Sequence, residues 1–112
     1  MAKFLAVYTG TPSDGPPPDM DQQKMAAGMA AWTKWMQTHA ASVIEGGGPL
    51  GKTKQVSAGG VSDVRNHMAG YVIVEAPSHE AAVAMFEGHP HFTIFPGDGV
   101  EVMPVLAIPG MG

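Results

Sequence analysis

The sequence predicts an α+β two-layer sandwich of order β-α-β-β-α-β with an extra hairpin. Three observations carry that expectation. Two apolar runs, Phe4 to Tyr8 and Tyr71 to Val74, have the make-up of buried strands. Each is followed, across a breaker, by a helical pattern with a capping residue at its start. A last run, Val100 to Val105, closes the chain as a strand. At 112 residues the chain is expected to be one domain, 1–112, with 106–112 as an extended Gly/Pro tail.

The elements follow in order. Phe4 to Tyr8 shows no polar alternation, as suits a central strand covered on both faces. Thr9 to Asp19 reads T-G-T-P-S-D-G-P-P-P-D. Its prolines withhold donors and fix φ, so no regular element is expected there. Asp19 is placed to cap the next helix, with Gln22 reaching back to it. That helix is expected from Met20 to Ala41. Met25, Met29, Trp32 and Met36 form one stripe of its 3.6-residue period, widened by Gly28, Ala31 and Trp35. Val43 to Glu45 starts a strand that breaks at Gly46-Gly47-Gly48-Pro49. Lys52 to Ser57 and Gly60 to Val64 read as a hairpin turning at Ala58-Gly59-Gly60. Met68 to Ala76 is the second strong strand. Pro77 ends it, and Ser78 caps a short helix that stops at Gly88. Pro104, near the end of the last strand, belongs on an edge or at a bulge. With right-handed crossovers this order is the ferredoxin-like arrangement.

Composition narrows the functional classes. The chain carries ten acidic and six basic residues, with the basic ones scattered, so no nucleic-acid footprint exists. Charged residues make up only 14%, which suggests that part of the surface is covered, most simply by a second copy. A homodimer is therefore expected. There is no cysteine, hence no disulfide framework, thiolate site or cysteine nucleophile. That fits a cytoplasmic protein. Neither a secretory signal nor an apolar run of membrane length is present, so no membrane partner is expected.

His89-Pro90-His91 is the richest polar cluster. Two imidazoles that titrate near neutrality suit acid–base work or metal binding. The structural alternative has His89 capping the preceding helix through its last carbonyls and His91 as a turn residue. A spacing of two about a proline is no metal motif and no third ligand is evident, so neither metal nor cofactor is expected. Asp63 and His67 precede the strand at Met68, where a carboxylate beside an imidazole could orient a general base. Solvated turn residues are the alternative. Tyr8, Trp32 and Trp35, with the methionines, would line an apolar ligand cleft; the alternative is plain helix-to-sheet core. His79, at the start of the second helix, and His39, at the end of the first, are assigned no role. The glycine triplet lacks the Lys-Ser/Thr of a phosphate loop and reads as a bulge or close backbone approach. No G-x-S-x-G hydrolase motif occurs.

Several stretches resemble the YCII-related (DGPF-type) family of small bacterial proteins. They are F-L-A-V-Y at Phe4 to Tyr8, I-E-G-G-G-P-L at Ile44 to Leu50, A-G-Y-V-I-V-E-A-P-S-H-E-A-A at Ala69 to Ala82, and V-E-V-M-P-V at Val100 to Val105. The resemblance implies a ferredoxin-like fold that pairs into a dimeric α+β barrel, with a cleft between sheet and helices. It also implies an enzymatic role drawn from clustered His and Asp residues. The Asp-Gly-Pro-Phe signature itself is absent, Asp63 standing near its Asp and followed by Val64 and Arg65. Met103 stands where an Arg is common in the last strand.

The functional expectation is a domain that binds a small partly apolar metabolite in a cleft between sheet and helices, with an enzymatic reaction on it as the extension of that reading. His89, His91, Asp63 and His67 would be its catalytic groups, and Tyr8, Trp32 and Trp35 its substrate contacts. The alternative is a non-catalytic homodimeric interaction domain with structural His and Asp residues.

Overall fold

The first strand, β1 (Ala2–Thr9), has a neighbour on each side, as its unbroken apolar run requires. A computed structural model describes residues 1–11 and 21–110. After β1 come α1 (Gln22–Thr38), β2 (Val43–Pro49), β3 (Thr53–Ser57), β4 (Gly60–Val64), β5 (Met68–Ala76), α2 (His79–Ala84), α3 (Pro90–Thr93) and β6 (Gly99–Pro104). Four strands form one antiparallel sheet of order β2-β5-β1-β6, and β3 pairs with β4 as a separate hairpin. With β3–β4 set aside, this is the ferredoxin-like strand order that the element pattern predicts.

The two sheet faces differ. Alternate residues Phe4, Ala6 and Tyr8 of β1 and Val72, Val74 and Ala76 of β5 are buried. They pack with Trp35, Ala82 and Phe86 from the helical layer into one core. The opposite face carries two cross-strand rows, Ile73–Leu5–Met103 and Tyr71–Val7–Glu101. No helix among the described residues covers those rows. Edge strand β6 ends at Pro104, where a missing N–H is tolerated.

Helix α1 begins after Asp21, whose carboxylate accepts from the Lys24 N–H at 2.7 Å. The cap is thus Asp21, and the expected cap Asp19 lies outside the described residues. The expected methionine stripe holds only in part. Trp35 and Gly28 are buried and Trp32 and Met36 half-buried, but Met25 and Met29 are 48% and 57% exposed. At Gly28 the Phe95 ring comes so close that a Cβ would lie 2.5 Å from its Cζ. That contact draws the N-terminal half of α1 toward α3 and leaves its methionines open.

The glycine triplet lies within β2, where the register shifts between Val43 and Glu45 and again between Glu45 and Gly48. Gly47 has φ +62°, and a Cβ there would collide with the Tyr71 carbonyl oxygen. Both the bulge and the close backbone approach expected from the sequence are present. Among the described residues the hairpin β3–β4 makes no substantial packing contact with the helices and strands of this body. Its apolar cross-strand pair, Val56 and Val61, is exposed.

Candidate ligand-binding site

The site grows from the way the chain leaves α2. Ser78 accepts from the Ala81 N–H at 3.1 Å and starts α2. Turns carry the chain from Ala84 to Gly88, where φ is +67°. His89 then caps α3, the short helix whose first residue is Pro90. Proline suits that position because its missing N–H is one the helix would leave unpaired. The structural alternative read from the sequence has His89 capping the preceding helix and His91 as a turn residue. The structure corrects both, since His89 Nδ1 accepts the His91 N–H at 3.0 Å, at the start of the next helix.

This cap determines the state of the ring. A backbone N–H only donates, so Nδ1 holds a lone pair and the neutral ring carries its proton on Nε2. That nitrogen lies 3.3 Å from the Tyr8 hydroxyl. The ring is 0% exposed. Trp32 stands edge-on to it at 4.6 Å, Trp35 lies at 4.9 Å and Phe86 stacks at 5.9 Å between centroids. Burial, reinforced by the nearby His91 and His39, pushes its pKa down from 6.5 to about 4.

His91 is held differently. Its Nε2 lies 2.7 Å from the Thr9 carbonyl, which only accepts, so Nε2 carries a proton. The same carbonyl accepts from the Asp98 N–H at 2.9 Å. Thr9 pairs with Gly99 at the end of β1, so its carbonyl faces the stretch from α3 to β6 that carries both donors. Gly97 backs the ring so closely that a Cβ there would collide with His91 Nε2 and Cε1. His91 Nδ1 has no partner among the described residues. No fully buried side-chain nitrogen or oxygen among them is unpaired, so Nδ1 reaches accessible space.

His91 also lines a cavity of about 340 Å³ between the β2–β5 end of the sheet and helices α1 and α3. Tyr8, Trp32, Phe95 and Met29 wall it on the helical side, with His91 among them. Its sheet side is built by Gly46, Gly48, Pro49, Ala69, Gly70 and Tyr71. Gly70 lies opposite Tyr8 in register, and a Cβ there would sit 3.3 Å from the Tyr8 ring. Burial raises the Tyr8 pKa well above its ordinary 10, so the phenol keeps its proton at neutral pH. A protonated phenol beside an imidazole with a lone pair can donate to one ligand atom and accept from another.

The sequence-predicted site residues divide into two groups. Tyr8, Trp32 and His91 line the cavity, with His89 behind Tyr8. Trp35 is core, its indole N–H donating to the Met85 carbonyl at 2.8 Å. Asp63 pairs with Lys54 at 2.6 Å on the hairpin, with the two side chains 80% and 71% exposed. His67 is exposed in the segment leading into β5, and the structure does not bring it to His89 or His91. His79, though exposed, stacks on Phe4 at 5.4 Å and its Nε2 lies 2.8 Å from the Val102 carbonyl. His39 caps the end of α1 and lies against Trp35 at 4.8 Å. The sequence reading included Met29 among the methionines of the cleft but missed Phe95, Gly70 and Pro49 as cavity residues. A glycine inside a strand was the available signal for Gly70. Among the described residues no three His, Asp or Glu side chains gather as a metal site would need. No helix among them is long and apolar enough to cross a membrane.

Fold and site together define a ferredoxin-like α+β domain with an aromatic-walled cavity at one end of its sheet. No family model matches the chain, and no curated protein matches it in sequence. Among solved structures it is similar to 5-chloro-2-hydroxyhydroquinone dehydrochlorinase from Burkholderia phenoliruptrix AC1100, solved in complex with 2,5-dihydroxybenzoquinone. The TM-score is 0.53 at 20% identity, covering 90% of each chain. A likeness at that identity shows the fold alone.

Proposed function

We propose that the chain binds a small, planar, partly apolar molecule in the cavity beside His91, and that it acts on that molecule as an enzyme. His91 is the proton-accepting group, Tyr8 the hydrogen-bonding partner, and Trp32 with Phe95 the apolar walls. The observation that carries this reading is the fixing of His91. One ring nitrogen is tied to the Thr9 carbonyl while the other is unpaired beside a cavity. That is how a general base is held in position. A volume of about 340 Å³ is within the range of small-ligand sites. The similar solved structure holds a single-ring quinone, which supports a planar ligand.

The test is calorimetric titration with 2,5-dihydroxybenzoquinone. One site per chain is expected. Met29→Trp, a change on the exposed rim, should abolish binding by filling the cavity. No heat of binding at millimolar probe would contradict the reading.

The second reading, a homodimeric interaction domain without catalysis, is favoured by the structural ties of His79, His89 and Asp63. Both readings share a homodimer. The uncovered row Ile73–Leu5–Met103 is the surface a second copy would bury. Ile73→Lys should shift the light-scattering mass from twice 11.6 kDa to 11.6 kDa. A wild-type protein already at 11.6 kDa at micromolar concentration would exclude the dimer. Membership of the YCII-related family is part of this proposal, supported by the stretches that resemble it and by the ferredoxin-like strand order.

A further inference from the structure

The hydrogen-bond directions around His89 specify what the cavity asks of its ligand. The His91 N–H donates to His89 Nδ1 at 3.0 Å, which leaves the His89 proton on Nε2. That Nε2–H, 3.3 Å from the Tyr8 hydroxyl, donates to the phenol oxygen. The phenol proton must then go elsewhere, and Tyr8 lines the cavity. No other side chain or carbonyl among the described residues is bonded to the Tyr8 hydroxyl. We propose that His89 is a positioning residue that turns Tyr8 into the cavity's hydrogen-bond donor, so that the ligand class is a planar molecule presenting a carbonyl, enolate or phenolate oxygen to Tyr8. This rests on the cavity being a ligand site.

Two observations strengthen the assignment. Burial keeps His89 neutral at neutral pH and keeps the proton on Tyr8, so both groups hold the states the hydrogen bonds require. The ring is also fixed on its other sides by Trp32, Trp35 and Phe86, so it cannot turn to present Nδ1 to Tyr8 without losing the α3 cap. His91 supplies the complementary acceptor, its ring centroid 5.2 Å from that of Tyr8. A ligand oxygen with a hydroxyl on the neighbouring ring carbon would meet both groups.

Two substitutions separate the two jobs of His89. His89→Asn places a side-chain oxygen near the position of Nδ1, so it retains a good cap but loses the donor to Tyr8. His89→Gln places an amide near the position of Nε2, so it retains the donor and loses the cap. With 2,5-dihydroxybenzoquinone as probe, His89→Asn and Tyr8→Phe should each weaken binding by about tenfold. The double variant should be no weaker than Tyr8→Phe alone. His89→Gln should hold the probe within about threefold of wild type, despite lower stability. Long-range ¹⁵N–¹H correlation spectra at pH 7 should show His89 protonated on Nε2 alone. A His89 protonated on Nδ1, or a Tyr8→Phe protein that binds the probe as wild type does, overturns the inference and leaves the cavity as a binding site. A wild-type protein that does not bind the probe at millimolar concentration overturns the ligand-site reading and this inference with it.

Discussion

Two polar clusters look alike in the sequence, His89-Pro90-His91 and Asp63 with His67, and they end in opposite physical settings. The first is packed under two tryptophans, a tyrosine and a phenylalanine, with His89 0% and His91 9% exposed. In the second, Asp63 belongs to an arm that the body does not cover and answers a lysine across the hairpin, while His67 is exposed in the segment leading into β5. Each pairs imidazole with a possible partner within a few residues. What separates them is what the flanking chain can bury. Pro90 begins a helix, and Phe95 just beyond it packs against Gly28 of α1. Asp63 is flanked by Ser62 and Val64 on a two-stranded hairpin with no third strand to make a core.

The comparison breaks most directly at His89. His89→Ala removes a fully buried ring and the cap of α3, and should cost about 3 kcal/mol or more in denaturant unfolding. A loss under about 1 kcal/mol would mean the aromatic cage repacks around the gap. Glycines sharpen the contrast next. Gly97→Ala forces a Cβ against the His91 ring and should cost about 2 kcal/mol and displace the imidazole. Gly59→Ala, with only Ser57 Oγ at 3.9 Å, should change stability by less than about 0.5 kcal/mol.

Acid supplies a third contrast. His89 has its pKa lowered to about 4 in the folded chain, against 6.5 in the unfolded one. The unfolded state therefore binds the proton first. Stability from this group is complete above pH 6.5 and falls as pH drops toward about 4, by at most about 1.4 kcal/mol per pH unit. The groups facing the ring are His91, His39 and the Tyr8 hydroxyl. His89→Asn should remove that slope from a plot of unfolding free energy against pH. A slope unchanged in the variant would assign the acid sensitivity to other groups. The smallest effect belongs to the arm. Asp63→Asn breaks an exposed pair and should cost less than about 1 kcal/mol, with no change in probe binding.

These differences show where the sequence is legible. The strand at Met68–Ala76 is read to the residue because its apolar run and the Pro77 that follows mark its limits. The helix over Gln22–Thr38 is legible as a helix, yet its buried face is misjudged at Met25 and Met29. Periodicity ranks residues by hydrophobicity, whereas the Phe95 ring selects Gly28 because only a glycine lets it approach. The cavity is legible in its ingredients, Tyr8, Trp32 and His91, and not in its assembly. Its walls come from α1, α3, β1, β2 and β5, and no local pattern reports that they meet. The role of His89 as a cap to the following helix was within reach, since a proline after a residue able to accept hydrogen bonds is a helix-start signal.

The most direct measurement is a ¹H–¹⁵N and side-chain NMR titration of the protein with 2,5-dihydroxybenzoquinone. Shift changes are expected at Tyr8, Trp32, His91 and Phe95 around the cavity, with Asp63 and His67 unmoved. Changes centred on the hairpin, or none up to millimolar probe, would contradict the account.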